Sequence, residues 1–319
     1  MNARPFIRRA LPIAVSAGTL LALAGWIHPR EILAVTRLEA LGALTPPLLV
    51  YAAVTLAIEA RCIVRLCPPE ASHLGLWTAA RMKAASYLVQ VVHYALGIGA
   101  LTYLLQRQTG VPAIRAAGIT LLISFLDLAV LLSLAAAGVT LVRTPALEVR
   151  VGILAALAVA ILGGIALLRV PGLLGPLDRL RESSAFEAAR ATPVPVLAEI
   201  GILRAILVSA FIAITAAALR AFDIVVPLGT LVISVVLLAL VSALPIAVAG
   251  LGTGQAAFLY LFRGRATPET LLACSLTLSA GLLTVRTLMG LVFAREYSRE
   301  ALAQSGQGAA AGSEGDSRT

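Results

Sequence analysis

The sequence predicts an all-α fold, a polytopic transmembrane helix bundle. Three observations carry that expectation. Of 319 residues, 60% are apolar and only 13% charged, and mean hydropathy is +0.96, whereas soluble domains carry roughly a quarter charged residues. The apolar residues form continuous runs near the roughly 20 residues that a helix needs to cross a bilayer core. Those runs lack the period-2 alternation of a barrel strand, and lipid obliges a non-barrel segment to satisfy its backbone hydrogen bonds as a helix.

The first run, Leu11–Ile27, follows Arg4, Arg8 and Arg9. Ala22-Leu-Ala24 before Gly25 resembles a cleavage site, but with more spans following, an uncleaved first helix is the expectation. The three arginines then put the N-terminus in the cytoplasm of a multi-pass cell-membrane protein. Further spans are read at Leu48–Val64, Thr78–Tyr94, Ala117–Val142, Val151–Val170, Val194–Leu219, Val226–Leu244 and Thr267–Phe293, about eight in total at roughly 20 residues each. Glu31–Leu41 and Leu173–Arg190 mix polar and apolar residues at helical spacing, as segments lying along the interface do. The integral membrane domain therefore covers residues 1–293. Residues 294–319 form a short tail, whose Gly/Ala/Ser-rich end reads as disordered. No polar stretch within the sequence reaches the roughly 50 residues of an appended soluble domain.

Two stretches break the pattern. Ala95–Leu105 contains Gly97 and Gly99, and Pro245–Gln255 contains Gly250, Gly252 and Gly254. Each is too short to span and places glycines between apolar segments, the composition of a re-entrant element that turns back at membrane depth. The order of elements around them repeats: a span carrying Glu and Arg (Glu59 with Arg61, then Glu199 with Arg204), another span, a Gly-broken element, a long span. Such an internal repeat with interrupted helices in matching places is a sequence pointer to a transport site.

The formal charge of +9 does not point to nucleic acid, because the arginines are scattered at the ends of apolar runs instead of clustering on one face. Positive loops facing anionic headgroups account for them. Cys62, Cys67 and Cys274 have neither disulfide nor metal-ligand spacing and read as packing residues. Gly250-Leu-Gly252-Thr-Gly254 lacks the strand context and the Gly-Lys-Ser/Thr of nucleotide-binding loops. No cofactor or metal is expected, and no catalytic motif is found.

Ionisable residues within apolar runs are the sharper signal, since a charge at the bilayer centre costs about 3 kcal/mol or more unless paired or hydrated. Asp127 is the clearest, either as half of a structural ion pair or as a functional group. Arg286 is its candidate partner or, alternatively, a phosphate ligand. Arg61, Arg81 and Lys83 sit near span ends, where snorkelling accounts for them and binding is the alternative. Glu199 and Arg204 are five residues apart, about 140° around a helix, and do not share a face. His93 precedes the first Gly-broken element, where it could sense protons or simply pack.

At Leu244-Pro-Ile-Ala-Val-Ala-Gly-Leu-Gly-Thr-Gly-Gln-Ala-Ala257 the chain resembles the transmembrane domain of the lysylphosphatidylglycerol synthase family, also called flippase-like proteins. Gly97–Gly110 and the Asp127-bearing segment look like that family's first Gly-containing motif, Arg-bearing turn and Asp-bearing helix. Arg61 and Arg286 with Gly290 match further positions. The resemblance spans roughly residues 45–293. Gln255 and Ile98 stand where the family usually has Glu, and Ile123-Ser124 replaces a usual Glu-Arg. The resemblance implies a protein that binds or moves a membrane lipid with a charged headgroup. The headgroup would sit near Gly97, Gly99 and Gly250–Gln255, with Arg61, Arg81 and Arg286 as phosphate contacts. Two alternatives are a transmembrane subunit of a lipid-modifying enzyme and a non-transporting scaffold. Membrane lipids are the expected partners, with a homo-oligomer or a membrane partner protein also compatible.

Overall fold

The computed structural model describes residues 38–92, 94–141, 151–152, 154–159, 162–163, 183–243 and 252–316. Among them the regular elements are all helical. They are α1 (Leu38–Leu66), α2 (Leu76–Val92), α3 (Tyr94–Thr109), α4 (Ala113–Leu141), α5 (Glu187–Ala191), α6 (Val194–Ala221), α7 (Leu228–Ala243), α8 (Thr253–Leu261) and α9 (Pro268–Asp316). Two 3₁₀ turns, Pro69–Ala71 and Ser184–Phe186, serve as connectors. The expected span Leu11–Ile27 and half of Val151–Val170 lie outside the described residues.

Among the described residues, four helical segments are long and apolar enough to cross a membrane: Gly42–Leu66, Ala113–Gly138, Val194–Ala221 and Pro268–Phe293. Their boundaries follow local chemistry. Gly110, at φ 71°, ends α3 with its N–H on the Gln106 carbonyl, the left-handed stop that glycine adopts without a Cβ penalty. Pro193 and Pro195 open α6, where a missing N–H is harmless. Thr267 precedes Pro268 and its hydroxyl accepts the N–H of Thr270 at 3.4 Å, an N-cap for α9.

The order α1–α2–α3–α4 recurs as α6–α7–α8–α9, and each principal contact in one half has its counterpart in the other. Within the halves, α1 packs on α2 as α6 does on α7, and α3 on α4 as α8 does on α9. Between them, α9 packs on α2 while α4 packs on α7, and α9 on α1 while α4 packs on α6. The halves meet along α1 and α6, which run antiparallel. Arg65 reaches Glu199, Glu59 reaches Arg204, and the Tyr51 and Phe211 rings lie 6.2 Å apart. The arrangement is that of an inverted repeat.

Two apolar cores occupy opposite ends of that axis. One gathers Ile63, Met82, Leu105, Ile119 and Ile200, and the other Leu44, Ile214, Leu219, Phe258 and Phe262, all nearly inaccessible. Glycines set the helix spacing between the halves. A methyl on Gly138 would lie 2.9 Å from Ile233 of α7, and one on Gly290 would lie 2.6 Å from Leu88 of α2. Small residues let membrane helices approach this closely.

The sequence expectation differs from the structure in two places. Gly97 and Gly99 do not break a helix; both lie inside α3, which folds back on α2. His93 lies outside the described residues. Gly97 instead permits the reversal, because a Cβ there would sit 2.5 Å from Cβ of Gln90 on α2. The tail expected to be disordered continues as helix to Asp316, in keeping with its Ala, Glu, Arg and Gln content. Of the expected interfacial segments, Glu31–Leu41 is described only from Leu38, where α1 begins, and Leu173–Arg190 only from Ser183.

Candidate functional site

Between the two cores, four charged side chains from four helices meet. Arg204 on α6 is wholly buried and forks onto Glu59 of α1, Nη1 donating to Oε1 at 3.0 Å and Nη2 to Oε2 at 3.1 Å. The same Nη1 reaches Asp127 Oδ1 of α4 at 3.1 Å. Lys83 on α2 completes the group, its Nζ 3.4 Å from Glu59 Oε2. Two carboxylates and two cations leave the quartet neutral. The planar guanidinium suits this role, because it can serve two carboxylates from fixed directions. Asp127 is the quartet's open side: its side chain is 35% exposed, against 0% for Arg204 and 10% for Glu59.

The group continues through Tyr87, one turn along α2 from Lys83. Lys83 Nζ lies 5.5 Å from the Tyr87 ring centroid and the Arg286 guanidinium of α9 lies 5.8 Å from it. Both are cation–π distances. A polar row thus crosses the bundle from Arg286 through Tyr87, Lys83, Glu59 and Arg204 to Asp127, touching α9, α2, α1, α6 and α4. Glu59, Asp127 and the cations can remain charged at this depth because each carboxylate has a fixed cationic partner.

The residues singled out from sequence are divided by the structure. Asp127 does form an ion pair with an arginine from another helix, but its partner is Arg204, not Arg286; Arg286 belongs to the other end of the row. Arg61 is half exposed and its Nη2 pairs with Glu199 at 3.0 Å, beside Arg65, so it is engaged at the end of α1 and outside the quartet. Arg81 is half-buried on α2. Gly97 serves helix packing, and Gly99 is exposed with open space around it.

Gly250 lies outside the described residues. Gly252, at φ 97°, is the N-cap of α8, a conformation that favours glycine. Gln255 is 1% exposed. Its Oε1 accepts the Gly252 N–H at 2.6 Å and its Nε2 donates to Ser279 Oγ at 3.1 Å. The amide that stands in the family's Glu position is thereby committed to holding α8 against α9. Gly254 is an ordinary neighbour of Ser242.

Sequence reasoning missed Glu59, Arg204 and Tyr87 as members of one site and treated Lys83 as a snorkelling residue. The signal for the first two was present, since both are ionisable residues in apolar runs. Reading Glu199 and Arg204 against each other, on one helix, obscured it: both pair instead with α1, Glu199 with Arg61 and Arg65, and Arg204 with Glu59.

A family model described as lysylphosphatidylglycerol synthase TM region matches residues 9–290. No curated protein matches the chain.

Proposed function

The chain belongs to the lysylphosphatidylglycerol synthase TM region family, and from that premise we propose that it binds a phospholipid headgroup within its helix bundle and moves it between leaflets. The observation that carries this reading is the buried quartet of Glu59, Arg204, Asp127 and Lys83, held where the two inverted halves meet. Charged side chains inside membrane domains are costly and mark substrate or ion pathways. In transporters built from inverted repeats, the site lies at the repeat interface and rocking of one half against the other exposes it alternately. Asp127, partly open, is the member whose place on Arg204 an incoming anionic headgroup can take.

The paired short helices give the same reading further support. The 17 residues of α2 and the 16 of α3 reach about 25 Å each at 1.5 Å per residue, short of the hydrocarbon core, and α7 with the nine-residue α8 repeats the motif. We read both pairs as re-entrant hairpins. The protein acts in the cell membrane with its N-terminus in the cytoplasm, as Arg4, Arg8 and Arg9 favour. No chemical step is assigned to it.

A second reading, a non-transporting scaffold, draws on Gln255, whose amide is consumed by Gly252 and Ser279 where a free carboxylate would offer a proton or cation ligand. Reconstitution separates the two. Proteoliposomes holding the full chain should move fluorescent phosphatidylglycerol between leaflets faster than protein-free liposomes, and Asp127→Asn should slow that movement. Equal rates with and without protein, together with a copurifying partner chain, would favour the scaffold.

A further inference from the structure

A small cavity opens between α1, α2 and α9, at the Arg286 end of the polar row. Its wall holds two buried hydroxyls with no hydrogen-bond partner among the described residues, Tyr87 Oη and Thr55 Oγ1. Tyr87 is 3% exposed and Thr55 7%. A buried hydroxyl left without a partner is costly, and two of them facing one space call for a ligand that accepts hydrogen bonds. Arg286 lines the same space, and among the described residues no carboxylate pairs with it. Glu59, the acid nearest to this side, already serves Lys83 and Arg204. The cavity therefore combines two donors with a positive charge that no carboxylate among the described residues offsets. Apart from Tyr51, the rest of its wall is apolar, with Leu48, Val285 and Met289 among the lining residues, as suits an alkyl chain continuing from a bound anion.

We propose that this cavity is a phosphate-oxyanion site, in which one phosphoryl oxygen is held by the Tyr87 and Thr55 hydroxyls and the Arg286 guanidinium. It rests on the lipid-binding reading above and makes it specific: the group recognised is the phosphate, and the place is the α1–α2–α9 cavity instead of the glycine-rich turns. Space on the order of a single water molecule admits one oxygen of the phosphate, with the remainder at the mouth. Arg286 supplies charge, while the hydroxyls select an acceptor over an apolar group.

The test uses the full chain in detergent and native mass spectrometry. The probes are phosphatidylglycerol, diacylglycerol with the same acyl chains, and inorganic phosphate as competitor. Tyr87→Phe keeps the ring between Lys83 and Arg286 and removes only the hydroxyl; Thr55→Val is its isosteric companion. Each should reduce the phosphatidylglycerol-bound fraction by about tenfold, the effect of one hydrogen bond to a charged group, and leave diacylglycerol binding weak and unchanged. Displacement of the lipid by millimolar phosphate supports the site with the free ion as a source; resistance to it supports the site with the lipid as the source. Undiminished phosphatidylglycerol binding in both variants, equal binding of diacylglycerol, or no lipid or phosphate binding to the wild type overturns the proposal. A wild type that binds phospholipid at this site but does not move it in proteoliposomes overturns the transport reading alone.

Discussion

Glu59 on α1 and Arg204 on α6 face each other across the junction of the two halves, joined by parallel hydrogen bonds of 3.0 and 3.1 Å. The two residues are 145 positions apart in the chain. Because Arg204 is wholly enclosed, truncating it to Ala leaves Asp127 without its cation and Glu59 with Lys83 alone. That loss should destabilise the protein by about 3–5 kcal/mol, the usual consequence of removing one partner of a buried pair. A thiol-reactive fluorogenic dye can measure it, since Cys62 and Cys274 are buried and become reactive on unfolding. An unchanged melting temperature for Arg204→Ala would contradict the pairing.

Neutralising the two carboxylates should have unequal effects. Glu59→Gln removes the shared partner of Arg204 and Lys83 and leaves two buried cations with one acid. Asp127→Asn leaves Arg204 still forked onto Glu59, and the lost group is partly exposed, so its effect on stability should be under about 1 kcal/mol. Melting temperatures of the two variants, compared side by side, should rank Glu59→Gln well below Asp127→Asn. The reverse ranking would mean that Asp127 carries the structural load.

Gly97 and Gly99 are two residues apart in one helix but should respond oppositely to alanine. At Gly97 the new methyl meets Gln90 Cβ at 2.5 Å and Cα at 2.9 Å, so α2 and α3 must separate, at about 1–3 kcal/mol. At Gly99 nothing lies within 4 Å, and alanine is the better helix former by up to about 1 kcal/mol. Gly97→Ala should lower the melting temperature and Gly99→Ala should hold or raise it.

Gln255→Ala should cost about 1–2 kcal/mol, because it frees the Gly252 N–H at the start of α8 and removes the link to Ser279. Gln255→Glu keeps the acceptor for Gly252, and the Ser279 hydroxyl can turn to donate. Its melting temperature should therefore exceed that of the alanine variant. Equal losses in both would show that the amide nitrogen is the essential group.

Cys67 lies just beyond the end of α1, and burial pushes its thiol up from the ordinary value of 9.0 to about 11. A raised thiol pKa lowers the thiolate fraction at neutral pH, by about a hundredfold for a shift of this size, and thiolate is the reactive form. Maleimide labelling of the folded protein should be slow at pH 7 and accelerate continuously up to pH 10. Fast labelling of Cys67 at pH 7 would show that the thiol is more exposed than the structure has it.

Much of the architecture was legible in the sequence. Apolar runs located α4, α6, the membrane part of α9 and the C-terminal end of α1 within a few residues, while α1 starts ten residues before the run read for it; in lipid a run of that length has helix as its one way of satisfying its backbone. The repeat was legible as an order of elements. Its inversion was not, since hydropathy carries no direction, and the antiparallel contact of α1 with α6 was needed to reveal it. Asp127 was recognisable as a charge in an apolar run, with pairing to an arginine from another helix as one of its two readings. Which arginine it meets was not, because Arg204 and Arg286 are both basic residues in apolar runs and nothing local distinguishes them.

The sequence by itself determined that the chain is an all-helical membrane protein, since composition and run length are summed over single segments and need no neighbour. The tertiary structure decided the site. It brought Glu59, Lys83, Asp127 and Arg204 together from four helices, turned Gln255 from a ligand candidate into a helix cap, and left Tyr87 and Thr55 facing a cavity beside Arg286. The physical reason is that charge pairing and hydrogen-bond satisfaction depend on distances of about 3 Å between helices that only packing brings into contact, and the contacts of Arg204 with Glu59 and Asp127 cross from one half of the repeat to the other.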